Sequence, residues 1–250
     1  MAEKFKAVLT KPDVLKDSVN AISALINEGV FSLGKDGISM KSMDSANVAM
    51  VDMLLLSSAF KSYELAEETE IGLNISDLTN VLKRAKAEDE MTLELEDGKL
   101  TVSLSGKVRR AFNIPLLDIR GESKTPSLEF PVSIELKSGI IEDGIADAEI
   151  VSDAVVLEAD PDNFIMKAEG DSRKSELKVD KDNESIVNLT AKDHVKSIFP
   201  LDYLKKMFKA SKLTDTAVLQ LGQDYPLRLD FKIQDQLQLG FILAPRIENE

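Results

Sequence analysis

The sequence predicts an α+β fold in which one domain pattern occurs twice. Three observations carry that prediction. The chain repeats its pattern at about half its length, each half reads as runs of strands with two helices, and the halves are joined by a stretch without periodicity. A displacement of 126 residues carries Leu15, Val19 and Ile22 onto Ile141, Ile145 and Ala148. It carries Met40-Lys41 onto Met166-Lys167, and Leu78, Val81 and Leu82 onto Leu204, Met207 and Phe208. The same displacement sets Val8-Leu-Thr-Lys11 on Ile134-Glu-Leu-Lys137. Beyond about Leu95 it becomes 127, where Leu100–Leu104 meets Leu227–Phe231. Identities are few, so the repeat is one of pattern. Two domains of ordinary size follow, at residues 1–117 and 131–250, with a connecting loop at 118–130.

The first half opens with a strand near Phe5–Leu9. Leu15, Val19, Ile22 and Ile26 then recur at spacings of 4, 3 and 4, which is helical, and Pro12 suits the first turn. Strands follow at Val30–Leu33, Ile38–Met43 and Val48–Leu56, the first pair joined by a turn at Lys35-Asp36-Gly37. A second helix begins near Ser76 as N-cap and turns Leu78, Val81, Leu82 and Ala85 inward. Asp97-Gly98 marks a hairpin between Met91–Glu96 and Leu100–Leu104, and a last strand runs near Val108–Ile114. The second half reads likewise. Helices are expected at Ser138–Glu149 and Leu201–Ala210. Strands are expected at Val155–Leu157, Phe164–Ala168, Glu176–Val179, Ala217–Leu221, Leu227–Ile233 and Leu239–Leu243. Between the halves, Asp118–Glu129 is rich in Gly, Pro, Ser and Thr and reads as a surface linker.

Composition excludes several classes of chemistry. The 250 residues include no Cys and one His, so disulfides, thiolate nucleophiles, Cys-ligated zinc and multi-His metal sites are ruled out. His194 lies in a polar stretch before a strand and reads as a surface residue. Asp44, in Ser42-Met-Asp-Ser-Ala-Asn47, is the most tempting carboxylate for a metal-dependent enzyme, but no second acidic cluster accompanies it and a turn role fits better. No catalytic residue, metal or cofactor is expected. No signal peptide is read at the start. The longest apolar run, Val48–Leu56, is broken by Asp52 and falls short of the about 18 residues a membrane span needs, so no membrane partner is expected.

The balance of 44 acidic against 31 basic residues gives a net charge of −13, which speaks against a chain coated in nucleic acid. The placement of the basic residues changes that reading. Lys83, Arg84 and Lys86 fall on the second helix of the first half, and Lys205, Lys206, Lys209 and Lys212 on the second helix of the other. Basic residues near a helix C-terminus also complement the helix dipole. Recurrence in both halves of an acidic chain points instead to two related basic surfaces that meet a polyanion backbone without reading its sequence.

At this point the residues resemble a known family. Leu25-Ile-Asn-Glu-Gly-Val-Phe31 and Gly37-Ile-Ser-Met-Lys-Ser-Met-Asp-Ser-Ala-Asn-Val-Ala-Met-Val51 are similar to the N-terminal domain of the PCNA family of DNA sliding clamps. Phe164–Gly170, Asp224-Tyr-Pro226 and Phe241-Ile-Leu-Ala-Pro-Arg-Ile-Glu248 match its C-terminal domain, and Phe-Ile-Leu-Ala-Pro is the archaeal form of that ending. The resemblance covers essentially the whole chain. It implies a closed homotrimeric ring of six similar domains, with antiparallel sheets outside and two helices per domain lining the hole. It implies a processivity factor that encircles double-stranded DNA without regard to sequence. Such a ring tethers replicative polymerase, flap endonuclease and ligase through short PIP-box peptides and is placed on DNA by a clamp loader. The implied location is the cytoplasm at the nucleoid, or the nucleus for a eukaryotic member.

Carried over by position, the DNA-facing residues are Lys11, Lys16, Lys83, Lys86, Lys205, Lys209 and Lys212. The helix at Ser138–Glu149 departs from the pattern: it carries Glu142, Asp143, Asp147 and Glu149 and no base, so its acids turn sideways or its sector meets DNA poorly. The peptide-binding positions are Met43, Asn47, Val48, Leu128, Pro226, Ile242, Ala244, Pro245 and Ile247. The trimer contacts are Lys107, Arg109, Arg110 and Phe112 of one edge strand against Glu176, Leu177 and Val179 of another, with Asp180 near them. The alternative implied by the same fold is a subunit of a heteromeric ring acting mainly as a protein-interaction scaffold.

Overall fold

The computed structural model describes residues 5–96, 98–120 and 127–246. Its first half runs β1 (Phe5–Leu9), α1 (Asp13–Ile22), β2 (Glu28–Gly34), β3 (Gly37–Met43), β4 (Ala49–Leu56), β5 (Ser62–Leu65), β6 (Thr69–Asn74), α2 (Ile75–Leu82), β7 (Glu90–Glu96), β8 (Lys99–Ser105) and β9 (Arg109–Pro115). The second runs β10 (Val132–Lys137), α3 (Ser138–Glu149), β11 (Ala154–Ala159), β12 (Asn163–Glu169), β13 (Lys174–Asp180), β14 (Ile186–Ala191), β15 (Val195–Pro200), α4 (Leu201–Met207), β16 (Thr216–Leu221), β17 (Leu227–Ile233) and β18 (Leu237–Leu243). The order of strands and helices is the same in both halves.

Sheet topology repeats as well. The first half orders its strands β5-β1-β7-β8-β9 and β4-β3-β2-β6; the second orders them β14-β10-β16-β17-β18 and β13-β12-β11-β15. Register tests the sequence displacement residue by residue. Leu93 faces Val102 and Leu219 faces Leu229, so the hairpin shifts from 126 to 127 as the sequence pattern indicates. The first strand requires a correction. Ala7 faces Leu93 while Ile134 faces Leu219, which aligns Ala7, not Val8, with Ile134. Burial gives the same answer: Phe5, Ala7 and Leu9 are buried, as are Val132, Ile134 and Leu136. A slip of one residue exchanges the two faces of a strand, so the earlier match set an outward Val on an inward Ile.

Two compact units divide the chain. One holds the residues up to Ser45, those from Val51 to the linker, and Lys232–Leu239. The other holds Ala46–Met50, the chain from the linker to Phe231, and Gly240 onwards. Hydrogen bonding accounts for the two exchanged segments. In the first unit Leu56 N donates to the Gln236 carbonyl at 2.8 Å, and in the second Ala244 N donates to the Val48 carbonyl at 2.9 Å.

Each unit packs its own helix pair on its own sheet. In the first, Leu15, Val19 and Ile22 of α1 and Leu78 and Leu82 of α2 are buried, as are Ala7, Leu93 and Val102 of the sheet. The helical stretch predicted through Ile26 ends at Ile22. The N-cap of α2 is Asn74, whose side-chain oxygen accepts the Asp77 N–H at 3.0 Å, and not Ser76. Such a cap stabilises a helix by about 1 kcal/mol. In the second unit Phe231 lies between Phe208 and Phe241, edge-on to both at 5.7 and 6.3 Å. There α4 stops at Met207 and the chain continues as 3-10 turns over Phe208–Leu213, which the sequence reads as one helix to Ala210.

Candidate functional site

The seven lysines assigned to DNA fall into two groups. Lys11, Lys83, Lys86, Lys209 and Lys212 are exposed, and among the described residues none has a carboxylate oxygen within ion-pair distance. Lys16 is half-buried on α1 and bound to Asp13, and Lys205 is bound to Glu149. Those two pairs take up charge that was assigned to phosphate. Lys206 is spent similarly, 3.4 Å from Asp202 and 5.0 Å from the centre of the Tyr203 ring. Arg84 is exposed beside Lys83 and joins the first group, although sequence matching passed over it.

Two acids of α3 turn to neighbouring side chains. Glu149 turns to Lys205, and Glu142 accepts the Ser211 hydroxyl. Asp143 and Asp147 stay exposed. Buried Ile141, Ile145 and Ala148 hold the opposite face of the helix in the core.

The loop after α2 is held by a charge pair between a half-buried arginine and a buried carboxylate. Arg110, on β9, donates to the Arg84 carbonyl at 2.9 Å and to the Asp89 carboxylate. Asp89 accepts the Lys86 N–H at 2.9 Å, and its own N–H donates to the Lys86 carbonyl at 3.0 Å. The Asp89 side chain is 3% exposed. The Lys86 N–H holds the Asp89 carboxyl below its ordinary range; burial opposes this, while the charge and hydrogen bond of Arg110 reinforce it. The sequence placed Arg110 in a subunit contact, but its guanidinium is engaged within its own chain.

The peptide-binding positions of the second unit converge on β15. Asp224 N donates to the Lys196 carbonyl at 2.9 Å, and Arg246 N donates to the Ile198 carbonyl at 2.7 Å. Between them the buried Ser197 hydroxyl donates to the Gly222 carbonyl and accepts the Tyr225 N–H, both at 2.9 Å. Three successive residues of one strand thus fix the turn carrying Pro226 and the tail carrying Ala244 and Pro245. Val48 is tied to Ala244 through the backbone, and Phe130 packs edge-on against Tyr225 at 5.6 Å, next to half-buried Leu128. Asn47 is exposed with φ 56°, which Asn tolerates. Ile242 is 9% exposed and is therefore mostly core. Met43, in the first unit, is 41% exposed. Ile247 lies outside the described residues. Ser197, Tyr225 and Phe130 escaped the sequence reading; a small polar residue alternating with apolar ones in a strand was the only available sign.

The trimer positions sit on two sheet ends. Among the described residues β9 pairs only with β8, and β13 only with β12. Lys107, Arg109 and Glu176 are exposed, and Phe112 and Leu177 are half-exposed. Val179 is a correction: at 5% exposure its side chain belongs to the core of its own unit, so only its backbone is available to a neighbour. Asp44 lies buried where β3 ends, and the His194 side chain is 57% exposed, 3.9 Å from Glu158. Among the described residues no three His, Asp or Glu side chains come together as metal ligands, and no helix is long and apolar enough to cross a membrane.

A duplicated sheet-and-helix-pair unit with basic helix ends and two open sheet ends defines a clamp-type domain pair. Comparison with known proteins gives the same class. The family described as proliferating cell nuclear antigen, N-terminal domain, matches residues 4–117, and its C-terminal counterpart matches residues 124–246. The chain belongs to the PCNA family. It is 34% identical over 246 residues to DNA polymerase sliding clamp 1 of Thermococcus kodakarensis, covering 98% of this chain and 99% of that one. It is 34% identical over 232 residues to the DNA polymerase sliding clamp of Pyrococcus furiosus, covering 92% and 93%. The crystal structure of a PCNA from Thermococcus kodakaraensis superposes with a TM-score of 0.92 at 26% identity, covering 97% of this chain and all of that one.

Proposed function

We propose that this chain is a sliding clamp for DNA polymerase: three copies close a ring around duplex DNA and tether replication and repair enzymes to it. The observation that carries the reading is the treatment of sheet ends. An open strand edge invites pairing with another chain, and proteins usually blunt it. β5 has only four residues. β14 is interrupted by an irregularity at Val187, where Ile186 faces Leu136 and Asn188 faces Glu135. β6 is bridged by Leu117, and β15 is covered by the turn and tail described above. β9 and β13 alone combine seven-residue length, unbroken register on their paired side and an open far side among the described residues. They are the counterparts, by repeat, of β18 and β4, whose edges the chain itself occupies. Pairing β9 of one copy with β13 of the next would satisfy both edges with the junction already used once within the chain.

Such a ring presents acidic surface outward and the unpaired Lys11, Lys83, Arg84, Lys86, Lys209 and Lys212 toward DNA. Phosphate contacts of this kind carry no sequence information and exchange readily with counterions, which permits sliding. Enclosure supplies the retention that affinity does not, and the ring needs no catalytic residue or cofactor of its own. The test is native mass together with topology. Purified protein should have a mass near three times 27.5 kDa. Once placed on closed circular DNA by a loader, it should stay bound and be released when that DNA is cut. A monomeric mass, or release indifferent to cutting, would overturn the proposal.

The apolar surface around Val48, Leu128, Pro226, Ala244 and Pro245 would take the aromatic and aliphatic anchors of partner peptides from polymerases, nucleases and ligases. Its rigidity depends on Ser197. Ser197→Ala removes the hydroxyl that fixes the Gly222–Tyr225 turn and leaves a buried carbonyl and N–H without it, a cost of about 1–3 kcal/mol. Peptide affinity measured by calorimetry is expected to fall by about tenfold with the native mass unchanged. Equal affinity in the variant would remove the turn from the binding surface.

A further inference from the structure

The sequence assigned Arg110 to the subunit contact, yet the hydrogen bonds of its guanidinium land on the loop that carries Lys83, Arg84 and Lys86. Arg110 reaches from β9 to the Arg84 carbonyl at 2.9 Å and to the Asp89 carboxylate. Asp89 in turn takes the Lys86 N–H. The β8–β9 turn closes the site from the other side, since a Cβ on Gly106 would come within 2.2 Å of Asp89 Oδ1. Three cations within four residues repel one another. The two backbone groups held, Arg84 C=O and Lys86 N–H, are those of the cations themselves.

The second half shows that the fold does not require this pair. At the repeat displacement, Asp89 corresponds to exposed Asp215 and Arg110 to buried Leu237. There the segment after α4 is held by 3-10 turns, by Phe208 packed on Phe231 and by an exposed hydrogen bond from Ser211 to Glu142, with no counterpart of the Asp89–Arg110 pair at these two positions. Burying an ion pair carries a desolvation penalty that apolar packing avoids, and the second half uses the apolar solution. The costlier device stands where the loop bears the most positive charge.

We propose that Asp89 and Arg110 are positioning residues for DNA binding: their pair sets the Lys83–Lys86 loop so that its three cations face phosphate. The pair also commits the one carboxylate in the loop's interior to Arg110 and the Lys86 N–H, and among the described residues none of the Lys83, Arg84 and Lys86 side chains forms an ion pair with it. Arg110 links the edge strand β9 to the DNA-facing loop from inside one subunit. The inference rests on the sliding-clamp reading for its ligand, but not for its geometry.

The test uses Asp89→Asn, with Arg110→Lys as a second variant that keeps the charge but lacks the planar fork needed for both acceptors. Fluorescence anisotropy on linear duplex DNA is measured in the wild-type and in the Lys83→Ala/Lys86→Ala backgrounds, together with native mass and amide hydrogen exchange at Lys86. Asp89→Asn is expected to leave native mass unchanged and to speed exchange at Lys86. It should weaken duplex binding about threefold to tenfold in the wild-type background and not at all where the lysines are gone, a coupling that a merely structural role would not produce. Arg110→Lys should act in the same direction. Equal losses in both backgrounds, unchanged affinity in wild type, or unchanged exchange at Lys86 would each overturn the proposal. Should the Lys83→Ala/Lys86→Ala protein bind duplex as well as wild type, the DNA role falls with the clamp reading's basic surface, and Lys86 exchange alone decides whether the pair holds the loop.

Discussion

Arg109→Glu is expected to reduce the native mass from three times 27.5 kDa to 27.5 kDa at concentrations where the unchanged protein stays assembled. Arg109 is exposed on the outer face of β9 and has no carboxylate partner among the described residues. The exposed face of β13 carries Glu176 and Asp180, each in an exposed ion pair at 3.7 Å, with Lys167 and Lys178. Continuing one sheet into the other brings the two outer faces into line. A Glu in place of Arg109 would then set like charges across paired strands, at a cost of order 1 kcal/mol or more per junction. Three such junctions close a ring, so the loss compounds. Arg110→Glu is the poorer test, because it would set a second carboxylate against buried Asp89 and unsettle the subunit itself. Analytical ultracentrifugation on dilution checks the expectation; an unchanged mass with melting also unchanged would remove β9 from the subunit contact.

Replacing Lys83, Lys86, Lys209 and Lys212 together by Ala is expected to weaken duplex binding roughly a hundredfold at low salt. It should flatten the dependence of log affinity on log salt, since each phosphate neutralised contributes about 0.9 to that slope. All four side chains are exposed, so the fold and native mass should be retained. Lys16→Ala and Lys205→Ala serve as the contrast. Their ammonium groups already satisfy Asp13 and Glu149, so each should change the slope less than Lys83→Ala or Lys209→Ala. Titrations at several salt concentrations separate the cases. A slope unaffected by the fourfold variant would place DNA elsewhere on the protein.

Long amphipathic elements were legible in the sequence because their periodicity is a local property. α3 spans Ser138–Glu149 as read from spacing, and β17 spans Leu227–Ile233. Short edge strands were not: β5, β6 and β14 alternate weakly or are interrupted, and their order comes from backbone partners far along the chain. The first strand of the repeat was matched one residue out because Val8 and Leu9 are equally apolar, and only pairing with β7 shows which of them faces inward. The same limit governs the site. That lysines cluster after α2 and α4 is visible in one dimension. That Glu149 occupies Lys205, that Asp89 occupies Arg110 and that Ser197 fixes Tyr225 are consequences of tertiary contact between residues 56, 21 and 28 positions apart.

The two basic segments differ in what dissolves them. In the second half the Phe208–Phe231 edge-on pair holds the turn together with the exposed hydrogen bond from the Ser211 hydroxyl to Glu142. In the first half the hold includes a carboxylate whose folded pKa is lowered. Its contribution is complete above the ordinary carboxylate value of about 3.9 and is lost as pH falls below that toward the lowered folded value. Acid therefore loosens the first basic segment at its buried carboxylate. A chain whose halves share one fold thus anchors one basic segment through a buried carboxylate and the other largely through aromatic packing.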